Sequence, residues 1–429
     1  MSSYRPAERR RNHALLVAEG VLFTVGLVFF DPNTVVPLLA ERLTGSAVLV
    51  GVVSSIQPLA KGFLPILAGN WILSIAYKKR FLVAAMSVGR LPLWVLALCL
   101  IWIPSAPAFF WAALLLLVQV LFWFGDSAGD PAWMDMVGKS VPQDRRGRFF
   151  ATRQVVGGLL ALAAGAVVAA VLGADSLRFP VNYGVIVLIG AAIYLANVGT
   201  FVGLVERPSD TSTRLSLSAL VRRLPDFLRS NRSFARTMGV LVLFNMARLA
   251  MPFYIVYGRT VFGLADSALG FIIPVQVAGR IAGAILWGTL GDRLGHQRAI
   301  RGVTVVAAVP AIVALVLGMM RPDAAVAVPF ALLFFVLGMS LEGWPPFINY
   351  MLAIVSERER PMYAGLMGVG YVPAALAPII GGLIVEHWTY GGLFAIALVL
   401  TAAGALAATR LPVAGPATAA SGGSTNPPA

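Results

Sequence analysis

Charge is what this sequence has least of. Only 12% of its 429 residues are Asp, Glu, Lys or Arg, whereas 59% are hydrophobic. A soluble domain of this size buries about three quarters of its unfolded surface, too little to hide so many apolar side chains from water. Cysteine is nearly absent too. Cys99 stands alone inside an apolar run, which excludes an intramolecular disulfide. The three histidines, His13, His296 and His387, have no Cys or His partner at ligand spacing, so no metal site is expected. No nucleophile–base constellation appears, and an enzyme is not expected. Gly138-Lys139-Ser140 resembles the end of a phosphate-binding loop, but Trp133 stands where the first glycine is required and no strand precedes it. No cofactor follows from the sequence.

What is present is long apolar runs. Runs of about 20 residues cross a bilayer as helices, which satisfy their own backbone hydrogen bonds in lipid. Twelve spans are predicted, at roughly 14–39, 46–69, 81–103, 107–137, 149–173, 181–204, 236–258, 263–288, 299–320, 324–351, 361–385 and 390–410. The net charge of +14 would suggest nucleic acid in a soluble protein. Here it alternates from loop to loop. The N-terminus and the even-numbered connections carry Arg9, Arg10, Arg11, Lys78, Lys79, Arg145, Arg146, Arg293, Arg298 and seven arginines between 207 and 236. The odd-numbered connections carry only Arg42, Arg178, Arg259 and Arg321. The positive-inside rule then places both termini in the cytoplasm of a multi-pass protein of the plasma or inner membrane, and nucleic acid is not an expected partner. No small-residue cleavage site follows the basic N-terminus, so the first helix is read as retained.

The polar stretch 206–235 divides six spans from six. Leu217, Leu220, Val221 and Leu224 recur in it at helical spacing, which predicts an amphipathic linker helix on the membrane surface. The predicted organisation is a basic cytoplasmic tail (1–13), a six-helix bundle (14–205), the linker (206–235), a second bundle (236–411) and a disordered tail (412–429), the last rich in Ala, Gly, Ser and Pro. The halves repeat weakly. At an offset of 219, Gln57 matches Gln276, Lys61 matches Arg280 and Gly69 matches Gly288. At an offset of 214, Pro131 matches Pro345, Asp135 matches Asn349 and Arg146 matches Arg360. Such a repeat implies two bundles related by a pseudo-two-fold axis along the membrane normal.

Ionisable groups in lipid are costly and face a cavity or a partner. Asp126 and Asp130 lie one turn apart in the fourth span, on one face. Two carboxylates so close in an apolar medium resist full ionisation, which makes them candidates for carrying a proton, with Glu342 of the tenth span next. Lys61 and Arg280 hold matching places in the second and eighth spans, and Glu342 matches Ala128, between the two acids. Each half thus offers a cation on its second helix and an acid on its fourth, read as a charged ring around a cavity or as ion pairs that hold helices together. Arg248, one turn from Asn245 in the seventh span, is a candidate solute contact, and Trp123 and Trp344 are candidates for the cavity wall.

Gly288, Gly291-Asp292-Arg293, Gly295 and Arg298 follow the pattern G-x-x-[GA]-D-R-x-G-x-x-R. This loop resembles the cytoplasmic signature known as motif A of the major facilitator superfamily of secondary transporters. The resemblance implies an all-α membrane protein of twelve helices in two pseudo-symmetric bundles. It also implies that the loop latches the cytoplasmic side when the cavity faces outward, with Asp292 meeting the start of the fifth span near Arg148 and Phe149. In the first half the loop reads GNWILSIAYKK, without the Asp-Arg pair. Asp31 opens the run D-P-N-T-V-V-P, which partly resembles the first-helix motif of proton-driven drug exporters and adds Asp31 to the proton-coupling candidates. Other exporter marks are missing: the fourth span has no membrane-embedded Arg, and the fifth has Gly157-Gly158 without proline. Because third helices of this fold pack outside the bundle, Arg90 is expected to be structural. The implied function is alternating-access transport of a small organic solute by a monomer, with proton-coupled export leading. Proton symport or uptake of an anionic solute is the alternative. A receptor or assembly protein that has lost transport is the alternative from another class, and a cavity reaching Asp126, Glu342 and Lys61 would favour transport over it.

Overall fold

The computed structural model describes residues 5–142, 145–209, 229, 231–320, 326–354, 370 and 372–412. Among these the elements are helices, with no strand. Eleven helical stretches are long and apolar enough to cross a bilayer, and Val372–His387 is a shorter apolar helix. The surface helix expected around Leu217–Leu224 and the tail after Pro412 lie outside the described residues.

In the first half, α1 (Pro6–Phe29) and α2 (Val35–Thr44) form one interrupted span, followed by α3 (Ala47–Ile72), α4 (Lys79–Trp102), α5 (Ala108–Ser140), α6 (Arg146–Leu172) and α7 (Val181–Gly203). Helix α1 begins at Pro6, within the stretch read as a basic tail. Proline suits the first helical turn, where no N–H is needed. The second half holds α8 (Arg232–Met246), a 3₁₀ turn (Ala247–Ala250) and α9 (Phe253–Phe262) in one span, then α10 (Leu269–Leu294). Two further interrupted spans follow, α11 (His296–Val306) with α12 (Val309–Leu317) and α13 (Ala327–Leu341) with α14 (Pro345–Ile354). The half ends with α15 (Val372–His387) and α16 (Tyr390–Thr409).

The repeat is visible in the backbone. The first span of each half is broken part-way along its length, at Asp31–Thr34 and at Ala247–Pro252. Each then resumes as a ten-residue helix that ends at a left-handed glycine, Gly45 at φ 67° and Gly263 at φ 64°. In the first break Pro32 has no N–H to give the helix. The Asp31 carboxylate accepts the Asn33 N–H at 2.9 Å and the Thr34 hydroxyl at 2.8 Å, which fixes the turn.

The first and last described residues lie on one face, termed here the terminal face. Asn12 of α1 donates to the Val205 carbonyl at 2.8 Å, and Arg301 of α11 donates to the Ala408 and Thr409 carbonyls at 3.0 and 2.8 Å. The halves meet toward the opposite, far face, where α3 crosses α15 and α6 crosses α10. Small residues allow these crossings. A Cβ on Gly51 would lie 2.2 Å from the Pro378 carbonyl oxygen, one on Gly382 2.5 Å from that of Ala47, and one on Gly165 2.2 Å from the Pro274 ring. The stretch Ala377-Pro378-Ile379-Ile380-Gly381-Gly382 is therefore a packing face for the other half.

Candidate substrate cavity

A cavity of about 710 Å³ lies between the halves, and both broken spans line it. The first half contributes Asp31, Asn33, Gln57, Lys61 and Asp130, and the second contributes Asn245, Arg248, Arg280, Glu342 and Trp344. Most of the residues expected to line a cavity or carry a proton are thus brought to one place. Asn245 is fully buried at the wall, and neither atom of its side-chain amide has a hydrogen-bond partner among the described residues.

The cations and acids pair within each half, as their matching registers suggested. Lys61 Nζ lies 2.7 Å from Asp126 Oδ2 and 2.9 Å from Asp130 Oδ2. Arg280 binds the Glu342 carboxylate at 2.7 Å. The two pairs sit on opposite walls, so each half brings nearly neutral, strongly polar chemistry to the cavity.

Two expectations, and the premise of a third, need correction. Asp126 does not reach the cavity surface. It is 4% exposed and lies behind Lys61, so of Asp126, Glu342 and Lys61 the cavity reaches the last two, with Asp130 beside Lys61. Trp123 is packed away as well, edge-on to Phe122 with ring centroids 5.0 Å apart, and Lys61 Nζ lies 5.9 Å from its ring centre. A flat indole on the core-facing side of α5 gains more from close packing than from a polar wall. Arg90, although on a third span, turns inward. It is 2% exposed and binds Asp126 Oδ1 at 2.6 Å. Gly89 and Gly125 bring α4 and α5 close enough for this, since a Cβ on Gly125 would lie 2.4 Å from the Ala85 carbonyl oxygen. Arg90 lies against the rings of Phe122 (4.2 Å) and Tyr194 (4.6 Å), so cation–π contact surrounds the guanidinium where hydrogen-bond partners are lacking.

At the far face an ion-pair cluster ties the halves together. Arg259 binds Glu41 at 3.0 Å and Asp266 at 3.2 Å, and Arg42 binds Asp266 while lying 3.8 Å over the Phe179 ring. The Glu386 carboxylate at the end of α15 accepts the Val48 N–H at 3.1 Å, at the positive N-terminus of α3. Sequence reasoning assigned this cluster no role. The available signal was that Arg42 and Arg259, scarce cations of the odd-numbered connections, each fall a few residues before a paired glycine.

The motif A loop is exposed in this conformation. The side chains of Asp292, Arg293 and Arg298 are exposed and make no hydrogen bond or ion pair with the described residues. Gly295 takes φ 91°, as a tight turn requires, and a Cβ on Gly291 would lie 2.7 Å from the His296 ring. A Cβ on Gly288 would meet nothing within 4 Å, so no close neighbour demands that glycine here. Phe149 packs in its own half against His13 and Arg153.

Solved structures of similar fold are transporters. A variant of the nucleoside transporter NupG superposes with a TM-score of 0.70 at 14% identity, over 94% of this chain and 99% of that one. A bacterial homologue of the iron transporter ferroportin in its inward-facing state gives 0.67 at 13%, over 94% and 98%. A bacterial homologue of the human lysosomal transporter Spinster, inward-facing and unoccupied, gives 0.61 at 14%, over 95% of each chain. No curated protein sequence matches the chain. The sequence profile of the Major Facilitator Superfamily matches residues 20–371 and again 237–428. The chain, a multi-pass membrane transporter by fold rather than an enzyme, therefore belongs to the Major Facilitator Superfamily.

Proposed function

We propose that this transporter moves a small organic solute by alternating access and exports it in exchange for protons. The observation that carries the reading is the cavity at the junction of the halves, with an acid–cation pair on each wall and ion pairs joining the halves at the far face. A solute held there contacts both bundles, so rocking one against the other exposes it to either side. The alternating loop charge supports a cytoplasmic terminal face, and on that reading this is the inward-facing conformation. Asp31, Asp130 and Glu342 at the wall, with Asp126 behind Lys61, are the acids available for proton coupling, and Asn245, Arg248 and Trp344 are the solute contacts.

An anionic solute is disfavoured because Lys61 and Arg280 already hold carboxylates. A receptor that has lost transport has no need of a polar cavity at the domain interface.

The test is flux in proteoliposomes across a panel of organic cations, neutral solutes and anions, with and without a pH gradient. Wild type is compared with Asp126→Asn, Asp130→Asn and Glu342→Gln. Wild-type flux should follow the gradient, and at least one variant should uncouple it. Gradient-independent flux in all four would sink proton coupling.

A further inference from the structure

Arg90 is a buried cation that the cavity does not use, and it makes the two acids of the fourth span unequal. Asp126 has a cation on each oxygen, Arg90 at Oδ1 (2.6 Å) and Lys61 at Oδ2 (2.7 Å), and its side chain is 6% exposed. Among the described residues Asp130 has Lys61 alone, at 2.9 Å, and its side chain is 38% exposed on the cavity wall. Resting on the proton-coupled reading above, we propose that Arg90 is a positioning residue that fixes Asp126 as a permanent anion, leaving Asp130 as the group that takes up and releases the transported proton.

The neighbouring charges support this division. Helix α3 contributes Lys61 and α4 contributes Arg90. Helix α1 contributes Glu19, itself bound to Arg153 of α6 at 2.8 Å, and α7 contributes the Tyr194 hydroxyl. The charged residues of α2, Glu41 and Arg42, are engaged at the far face. With both acids ionised, two cations face two carboxylates and the cluster is neutral. A proton from cavity water that lands on an Asp130 oxygen ends its ion pair with Lys61. Lys61 then bonds to Asp126 alone, and the cluster carries one excess positive charge. Protonating Asp126 instead would strand Arg90 away from water with no carboxylate, which is far more costly. Arg90 thus selects the site of protonation without touching solute.

The test needs no known solute. The purified full-length protein in lipid nanodiscs is taken from alkaline to acidic buffer, and infrared difference spectra record the C=O stretch of protonated carboxyls. Asp130→Asn should remove the amplitude of one titrating carboxyl from the wild-type spectrum, and Asp126→Asn should not. Arg90→Met should add the amplitude of a second carboxyl, which Arg90→Met/Asp126→Asn abolishes, whereas Arg90→Lys should restore the wild-type spectrum. Loss of the band in Asp126→Asn with retention in Asp130→Asn overturns the assignment, and that comparison stands even where Arg90→Met fails to fold. The spectra decide which acid titrates. Dependence of flux on a pH gradient separately decides whether that proton is transported, so the two readings fail independently.

Discussion

Gly51 offers the most direct test of how the far face closes. A methyl group there would lie 2.2 Å from the Pro378 carbonyl oxygen, 2.9 Å from its carbon and 3.0 Å from the Ile379 Cα. Ordinary van der Waals contact begins at 3.4 Å, so α3 and α15 must separate by about 1.2 Å (3.4 − 2.2) for Gly51→Ala to fit. The opposing atoms are backbone and cannot rotate away. Overpacking of this kind costs about 1–3 kcal/mol. The cost falls only on the conformation in which the halves touch at this face, so it acts as a population shift of about 5–150-fold toward the far-side-open state. Helix propensity alone predicts the opposite sign of benefit, since alanine in a helix interior is favoured over glycine by about 0.5–1 kcal/mol in every state. The two arguments are separated by labelling a single cysteine at Gln57, on the cavity wall, in a Cys99→Ser background with a membrane-impermeant thiol reagent added from each side. Gly51→Ala should raise labelling from the far side and lower it from the terminal side. Gly239→Ala, where the added methyl meets nothing within 4 Å, should change neither. Wild-type labelling in Gly51→Ala would refute the reasoning, because the crossing would then have slack that the packing does not show.

Two further perturbations use the same assay. Arg259→Glu places a third carboxylate beside Glu41 and Asp266 and should open the far face, and adding Glu41→Arg should recover part of the closure; each partly exposed pair is worth only about 0.2–1 kcal/mol, so a single variant as closed as wild type at low salt would show that packing, not charge, holds this side. Asp292→Lys removes no partner among the described residues in this conformation, so the melting temperature should be unchanged while terminal-side labelling rises; far-side labelling at wild-type level, together with unchanged flux, would remove Asp292 from any latch.

The elements legible in the sequence are those that depend on span length or on rare polar residues. Twelve apolar runs marked the spans, and the matched registers of Lys61 with Arg280, and of Asp126 and Asp130 with Glu342, anticipated the ion pairs. What stayed hidden was which way an apolar residue faces. In a soluble helix the solvent side is polar and reports orientation, whereas lipid is as apolar as the core. In α5, Phe109 is 76% exposed and Trp111 1%, and Leu117 is 54% exposed beside Val118 at 0%, with no difference in residue type to tell them apart. The inward turn of Arg90 and the withdrawal of Trp123 were lost for this reason. The break at Ala247–Ala250 carried no mark in its own residues, since the proline at 252 comes only after it.

The loop asymmetry between the halves acquires a physical meaning from where each loop finds its partners. In the first half, Glu206 at the end of the bundle accepts the Lys78 and Lys79 backbone N–H groups at 2.5 and 3.0 Å, where free donors open α4. Lys79 Nζ returns a bond to the Leu204 carbonyl at 2.7 Å, and the Ser209 N–H donates to the Ala76 carbonyl at 2.9 Å. Asp135 of α5 is shared by Lys78 at 2.9 Å and Lys139 at 2.6 Å. All these groups belong to one bundle and travel with it. Contacts within one bundle that moves as a body are expected to be kept in both conformations, and an interaction of equal strength in two states shifts no equilibrium between them. They brace the degenerate loop without helping to close the terminal face. Asp292 is in the opposite position, exposed and without a described partner in its own bundle, so any bond it makes on closure is gained in that state alone. A terminal-side latch built from these loops must therefore draw its bias from the terminal ends of α10 and α6, where Asp292 and Arg148 lie, and it must offset a far-face cluster in which Arg259 holds two acids at once.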